Sequence, residues 1–370
     1  MKAKLLLVAL VCILVALAAW TARTPNPVQA DDIPEKYRDT ARKGLAYLIK
    51  NQFEDGHWEG NGGRHPVAMT GLVGLALLME MENNSRRGGL QRIPTATHSV
   101  NIRKAADWLM EKSQIGRDGL IFSDHPSETA RYMEGHGLAT LFLAGVCKDE
   151  RDAARRKRLT EILARAVQYI VKARSTQGGW HHTSKAEGHD FALVSTTVIQ
   201  IQALQAAENA NIPVPDDAIR NGQAYLKMAL DKHEAAKAGR NVDRRFEIAA
   251  SLACCSEPGS RDDEFGKKWL PVCRAEIPMG RDIQFGRDDL AHYYYAQAVF
   301  KIGGDAWNAY RATLFDHLQA NQNKDGSWPV NLESQGAISV GPVHAAAVWL
   351  TILQLDKGSH PSSARAAYVF

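Results

Sequence analysis

The sequence predicts an all-α fold, and within that class a closed double ring of six helical hairpins, an (α/α)6 toroid. Three observations predict it. A helix–turn–helix pattern recurs along the chain, one helix of each pair is amphipathic while the other is apolar nearly all round, and the pairs number six. A helix with one apolar stripe lies at a surface, whereas one that is apolar on every side has to be enclosed. Six pairs enclose both kinds when the apolar helices form an inner ring and the amphipathic helices an outer one. An open stack would leave two apolar end faces.

The first thirty residues stand apart. Lys2 and Lys4 precede an apolar run from Leu5 to Trp20, and Val28-Gln29-Ala30 supplies small residues ahead of Asp31, the pattern of a secretory signal peptide. An uncleaved anchor is the competing reading of Leu5 to Ala22, and no later stretch is long and apolar enough to span a bilayer. The expected organisation is a signal peptide over 1–30, the toroid over 31–358 and a disordered tail over 359–370. A periplasmic or secreted location follows, with no membrane span after cleavage.

The first repeat runs from Lys43-Gly44-Leu45-Ala46-Tyr47-Leu48 to Gln52 and Asp55-Gly56-His57-Trp58. Sixty-one residues on, Lys104-Ala105-Ala106-Asp107-Trp108-Leu109 leads to Gln114 and Asp118-Gly119-Leu120. After another sixty-one, Arg165-Ala166-Val167-Gln168-Tyr169-Ile170 leads to Gly178-Gly179-Trp180. The fourth and fifth copies are weak, and the sixth carries Gln322-Asn323-Lys324-Asp325-Gly326-Ser327-Trp328. Each unit reads as an amphipathic helix, a Gly-containing turn with an aromatic, and an apolar second helix. The second helices are expected to begin near His65, Thr129, Asp190, Asp243, Asp289 and Val343.

Composition narrows the function. The chain has 370 residues, 45% hydrophobic and 23% charged, with net charge +4, as expected of a soluble globular protein. Losing Lys2, Lys4 and Arg23 with the leader lowers the charge to +1, which argues against nucleic acid as a partner, because that affinity comes mainly from neutralised phosphates. The basic run Arg151 to Arg158 reads as the solvated face of a helix. Cys147, Cys254, Cys255 and Cys273 form no C-x-x-C pair; one disulfide among the last three and buried free thiols are both open.

The Gln-x-x-x-Gly-x-Trp pattern at Gln52/Gly56/Trp58 and Gln322/Gly326/Trp328 resembles the QW motif of squalene–hopene cyclases and related terpenoid cyclases. The similarity spans about Pro34 to Lys357 and is greatest to secreted prenyltransferase/squalene-oxidase-repeat proteins, on Gly135-His136-Gly137-Leu138-Ala139-Thr140 and the segment from Tyr293 to Trp307. This resemblance implies the toroid and a central cavity for an apolar, isoprenoid-like ligand. It implies no particular reaction, because the motif is a structural device.

Two initiation devices of such toroids are incomplete. The Asp-x-Asp-Asp acid is absent, and Asp288 and Asp289 read as helix-capping acids. The zinc set of the protein prenyltransferases resembles Asp243 with His292, but its cysteine position holds Arg245, whose charge repels a metal. No metal and no cofactor is therefore expected.

What remains is a polar set at the starts of the inner helices. Glu134, His136, Asp190, Asp243 and His292 are the catalytic candidates, since a half-buried carboxylate beside an imidazole (Glu134 with His136, Asp190 with His189) titrates near neutrality. Arg245, Tyr293, Tyr294 and His344 are the ligand-binding candidates, the tyrosines as an aromatic wall. Three readings stay open: an isoprenoid-binding or isoprenoid-transforming toroid, a carbohydrate-active toroid resembling polysaccharide lyases, and a non-catalytic binding or scaffold protein. The expected partner is a small apolar or saccharide ligand.

Overall fold

A computed structural model describes residues 33–86, 96–115, 117–235, 244–257, 263–330, 340–357 and 360–362. The predicted leader lies outside them, as does Asp243. Among the described residues there is no β-strand, and none of their helices is long and apolar enough to cross a membrane.

Among the described residues, twelve helices longer than ten residues alternate in character. The odd-numbered ones are α1 (Glu35–Lys50), α3 (Ala96–Ile115), α5 (Ala153–Ala173), α7 (Asp216–Ala235), α9 (Glu264–Glu276) and α11 (Gly304–Ala320). The even-numbered ones are α2 (Pro66–Arg86), α4 (Tyr132–Asp149), α6 (Val194–Asn209), α8 (Arg244–Cys255), α10 (Asp289–Ile302) and α12 (Pro342–Leu353). In α1 the buried positions are Tyr37, Thr40, Ala41, Gly44, Leu45 and Leu48, a single stripe at helical spacing. In α12 every residue from Ala345 to Leu353 is buried. The Pro/Gly-rich stretch between α9 and α10 is a loop with a single 3-10 turn at Gly280–Asp282.

Contacts among the even-numbered helices run α2 to α4, α6, α8, α10 and α12, and α12 packs back against α2. That cycle is closed. Hydrogen bonds cross the seam at two levels: Gln354 Nε2 donates to the Ala76 carbonyl at 2.9 Å, and the Asn61 N–H donates to the Val340 carbonyl at 2.8 Å.

The repeat turn explains how one unit holds the next. The Trp58, Trp180 and Trp328 indoles each donate to the carbonyl ten residues earlier, Leu48, Ile170 and Leu318, at 2.7–2.9 Å. Gly56, Gly119, Gly178 and Gly326 take φ between 95° and 104°, a region that favours glycine. A Cβ on any of them would come within 3.0 Å of the following outer helix's backbone, at Lys104, Arg165, Asn221 and, for Gly326, Lys43. Gln52 donates to the Asn101 carbonyl of α3, and Gln322 repeats this on the Thr40 carbonyl of α1. The last repeat therefore grips the first as the first grips the second.

Two expectations change. The inner helices α2, α4, α6, α8 and α10 each pack on the outer helix that follows, across links as brief as Gly303 or Glu150–Asp152; the Gly-Trp segments are long crossings. Short links define antiparallel hairpins, so the hairpin is inner-then-outer. Of the expected tail over 359–370, residues 360–362 are described and these pack on the fold: His360 is 4% exposed, and Pro361 packs on Gly145 while its carbonyl accepts a hydrogen bond from Asn209. Deep in the fold, Gln202 of α6 donates to Gln297 of α10 at 2.7 Å, joining two helices that are not neighbours in the cycle. The interior is filled at that level. All four described cysteines are buried free thiols.

Candidate functional site

Alternation of outer and inner helices makes the inner helices parallel, so their first turns share one end of the fold. Glu134 sits in the first turn of α4. Arg131, at the N-cap, grips it with Nε on Oε2 at 3.1 Å and Nη2 on Oε1 at 3.0 Å. His182, from the crossing that leads to α6, places Nδ1 2.8 Å from Oε1. Burial alone would raise the Glu134 pKa, but the hydrogen bonds from His182 and Arg131 outweigh it and hold the carboxyl below its usual range. It is ionised at neutral pH.

This site is recessed rather than sealed: burial is the largest single influence on the Glu134 carboxyl, yet 18% of its side chain stays accessible. His344, in the first turn of α12, shows the same combination, half-buried in the fold but with burial pushing its imidazole down to about 4. His65 precedes α2 with φ 56°, a left-handed conformation rare for a non-glycine residue. Its N–H is held by Ser127 Oγ at 2.8 Å. Burial and the charges of Arg131, Arg64 and His125 lower its pKa against the opposing pull of Glu134. Burial raises the Tyr294 hydroxyl's pKa, and the Glu134 charge adds to the rise, so this residue of α10 lies within electrostatic reach of Glu134. Residues of five elements thus act on one another at this end of the fold.

The other candidates lie elsewhere. His136 is fully buried, with Nδ1 accepting from the Ile121 N–H at 3.0 Å and Nε2 facing the Ala166 carbonyl at 3.2 Å. Both ring nitrogens are committed to the backbone, so His136 is a staple and not the partner of Glu134. Asp190 is exposed and accepts from the Thr176 N–H at 2.6 Å and O–H at 2.8 Å, fixing a turn. His292 is buried, its Nδ1 2.8 Å from the Tyr310 hydroxyl, and burial drives its pKa down to about 3. Tyr293 is 3% exposed and meets His360 Nε2 at 3.2 Å; packed against protein, it offers no wall to a ligand. Arg245 pairs with the buried Asp288 at 3.0 Å, so the position where zinc would need a thiolate is an ion pair. Asp288 and Asp289 accept from the Gln284 and Gly286 N–H groups at 2.8 Å; they hold the preceding loop rather than cap their own helix.

Sequence reasoning missed Arg131, His181, His182 and Glu128. His181 and His182 directly follow the repeat tryptophan Trp180, which was a usable signal. His181 lies beside His182 and His189, with ring centroids 5.0 and 4.9 Å away. Glu128 is 3% exposed, and its Oε1 accepts from the Val67 and Ala68 N–H groups at 2.8 and 3.2 Å, capping α2 from the next repeat. Nothing local to Glu128 announces that role.

Fold and site together define an all-α repeat protein whose inner helices contact one another in a closed cycle and present a recessed carboxylate–imidazole pair at one end. A solved structure of a protein from Actinoplanes is similar at 16% sequence identity and a TM-score of 0.50, the match covering 86% of this chain and 98% of that one. At that identity the likeness concerns the fold alone. No family model and no curated protein matches the chain.

Proposed function

We propose that this chain is an exported (α/α)6 toroid that binds a saccharide at its mouth and acts on it through Glu134 and His182. The observation that carries the reading is the accessible Glu134 carboxylate, 2.8 Å from His182 Nδ1 and clamped by Arg131. A carboxylate on Nδ1 fixes the tautomer with the proton on that nitrogen, leaving Nε2 free to take a proton. Tyr294, 4% exposed and packed on Phe246 and Tyr293, is closed to a ligand as Tyr293 is. The Glu134–His182 pair suits proton abstraction or glycosidic-bond chemistry, where hydroxyl-rich ligands need many polar partners. The accessible side chains at the mouth are mostly polar, while Tyr293 and Trp349 are packed into the core, which favours a saccharide over an isoprenoid.

One observation favours a second reading. Leu138 and Ile199, one turn below the polar rim, are partly buried rather than fully buried, so an isoprenoid-like tail beneath a polar head has an apolar surface to meet. Purified protein assayed against a polysaccharide panel and labelled isoprenoids separates the two. The saccharide reading expects turnover that Glu134→Gln and His182→Asn each reduce by about 10²- to 10⁴-fold. Turnover or binding of isoprenoids alone would replace it with the second.

A further inference from the structure

We infer that Phe191 is the specificity-determining platform of the Glu134–His182 site, its ring stacking on the apolar face of an uncharged pyranose whose hydroxyl accepts from His181; the inference rests on the saccharide reading above. Phe191 is 44% exposed, although most large apolar side chains of the described residues are buried. A single apolar ring left in water is ordinary, but this one is built in place. It packs on the His181 imidazole, with ring centroids 4.2 Å apart, and His189 stands nearly perpendicular to it at 6.4 Å. The chain on either side is pinned. Asp190 holds the Thr176 N–H and hydroxyl, the Ala192 N–H donates to Gln177 Oε1 at 3.2 Å, and the Ala192 carbonyl accepts from the Tyr225 hydroxyl at 2.6 Å. A ring fixed in this way meets a ligand without first losing freedom.

His181 links the platform to the proposed chemistry. Its ring lies 5.0 Å from that of His182, whose Nδ1 is 2.8 Å from Glu134. The Nδ1 of His181 itself is buried with no hydrogen-bond partner among the described residues. A proton there would be stranded, so the imidazole carries it on Nε2 and presents that N–H as a donor. Burial lowers the pKa of the ring, and the neighbouring His182 and His189 add to the effect, so it is neutral at pH 7. Neither ring therefore offers a charge. The acids around them are engaged as well, Glu134 by Arg131, Glu187 by the Tyr132 hydroxyl and Asp190 by Thr176. An apolar face beside a neutral N–H donor fits a pyranose, which has C–H groups on a face and hydroxyls at its rim. An isoprenoid would cover the ring and leave the N–H without a partner.

Calorimetric titration of the full chain with cellohexaose, mannohexaose and an oligogalacturonate of equal length tests this, with Phe191→Ala, Phe191→Tyr and Glu134→Gln beside the unaltered protein. A neutral oligomer is expected to bind, about tenfold more weakly to Phe191→Ala, the size of step that one aromatic contact contributes, and within about threefold of normal to Phe191→Tyr. Glu134→Gln is expected to lose turnover and keep this affinity. On a polysaccharide that the site turns over, Phe191→Ala should raise KM and leave kcat in place, a split that a merely structural role would not produce. Neutral oligomers bound equally by Phe191→Ala, or the oligogalacturonate bound alone, overturns the platform and leaves the saccharide reading standing. No binding of any oligomer to folded protein overturns both.

Discussion

Histidine carries two opposite duties in this chain, and burial decides which. His136, His292 and His360 are sealed, hydrogen-bonded and held neutral, burial pushing them to about 4, 3 and 3, whereas His182 keeps an accessible carboxylate partner. The sealed ones set the acid stability. Their folded pKa values lie below the ordinary 6.5, so the unfolded chain takes up protons first as pH falls, and their contribution, full above about 6.5, is lost towards 4. Asp289 opposes them, since burial raises it to about 7 and its neutral form favours the fold as pH falls, and Glu128 is raised by burial likewise, while His344, pushed down to about 4, acts with the three histidines. The melting temperature is expected to drop steeply between pH 6.5 and 4, and His136→Gln should lessen the slope by about one proton, up to roughly 3 kcal/mol. A flat profile over that interval contradicts the assignment. At this scale the sequence was half legible: histidines in apolar helices stood out, but whether a ring nitrogen meets a distant carbonyl such as Ala166 depends on partners a repeat away.

The repeat turn is where an element's local chemistry becomes tertiary structure. Gln322, Gly326 and Trp328 are readable in the sequence because each does a job tied to its type: amide to carbonyl, positive φ, indole over a helix end. Gly326→Ala would strain a φ of 95° and drive a methyl into the Lys43 backbone, so a loss of about 1–3 kcal/mol is expected in chemical unfolding. Trp328→Ala, at a fully buried side chain, should cost about 3–5 kcal/mol. A neutral outcome for both would remove the turn from the set of structural determinants. The hairpin phase was not legible, because periodicity marks where helices lie and says nothing of whether the long or the short link joins partners in contact. The fourth and fifth repeats lack the motif yet pack as the others do, α8 on α9 and α10 on α11, since apolar burial of the inner helices suffices there.

For the whole molecule, closure brings the first and last repeats together. Glu134 and Tyr294 belong to helices in different halves of the sequence, and α2 packs on α12 at the seam. The seam was foreseeable from the count of six repeats, while the C-terminal segment that packs His360 and Pro361 into the opposite end was not, since its few residues resemble any polar tail. An open helical array frays from its terminal repeats, whereas a closed one has none. Native-state hydrogen exchange of the intact protein measures the difference directly. The closed arrangement predicts that the slowest amides of α2 and α12 exchange at rates comparable to those of α6; exchange in α2 and α12 orders of magnitude faster than in α6 would contradict closure, and with it the site at the mouth.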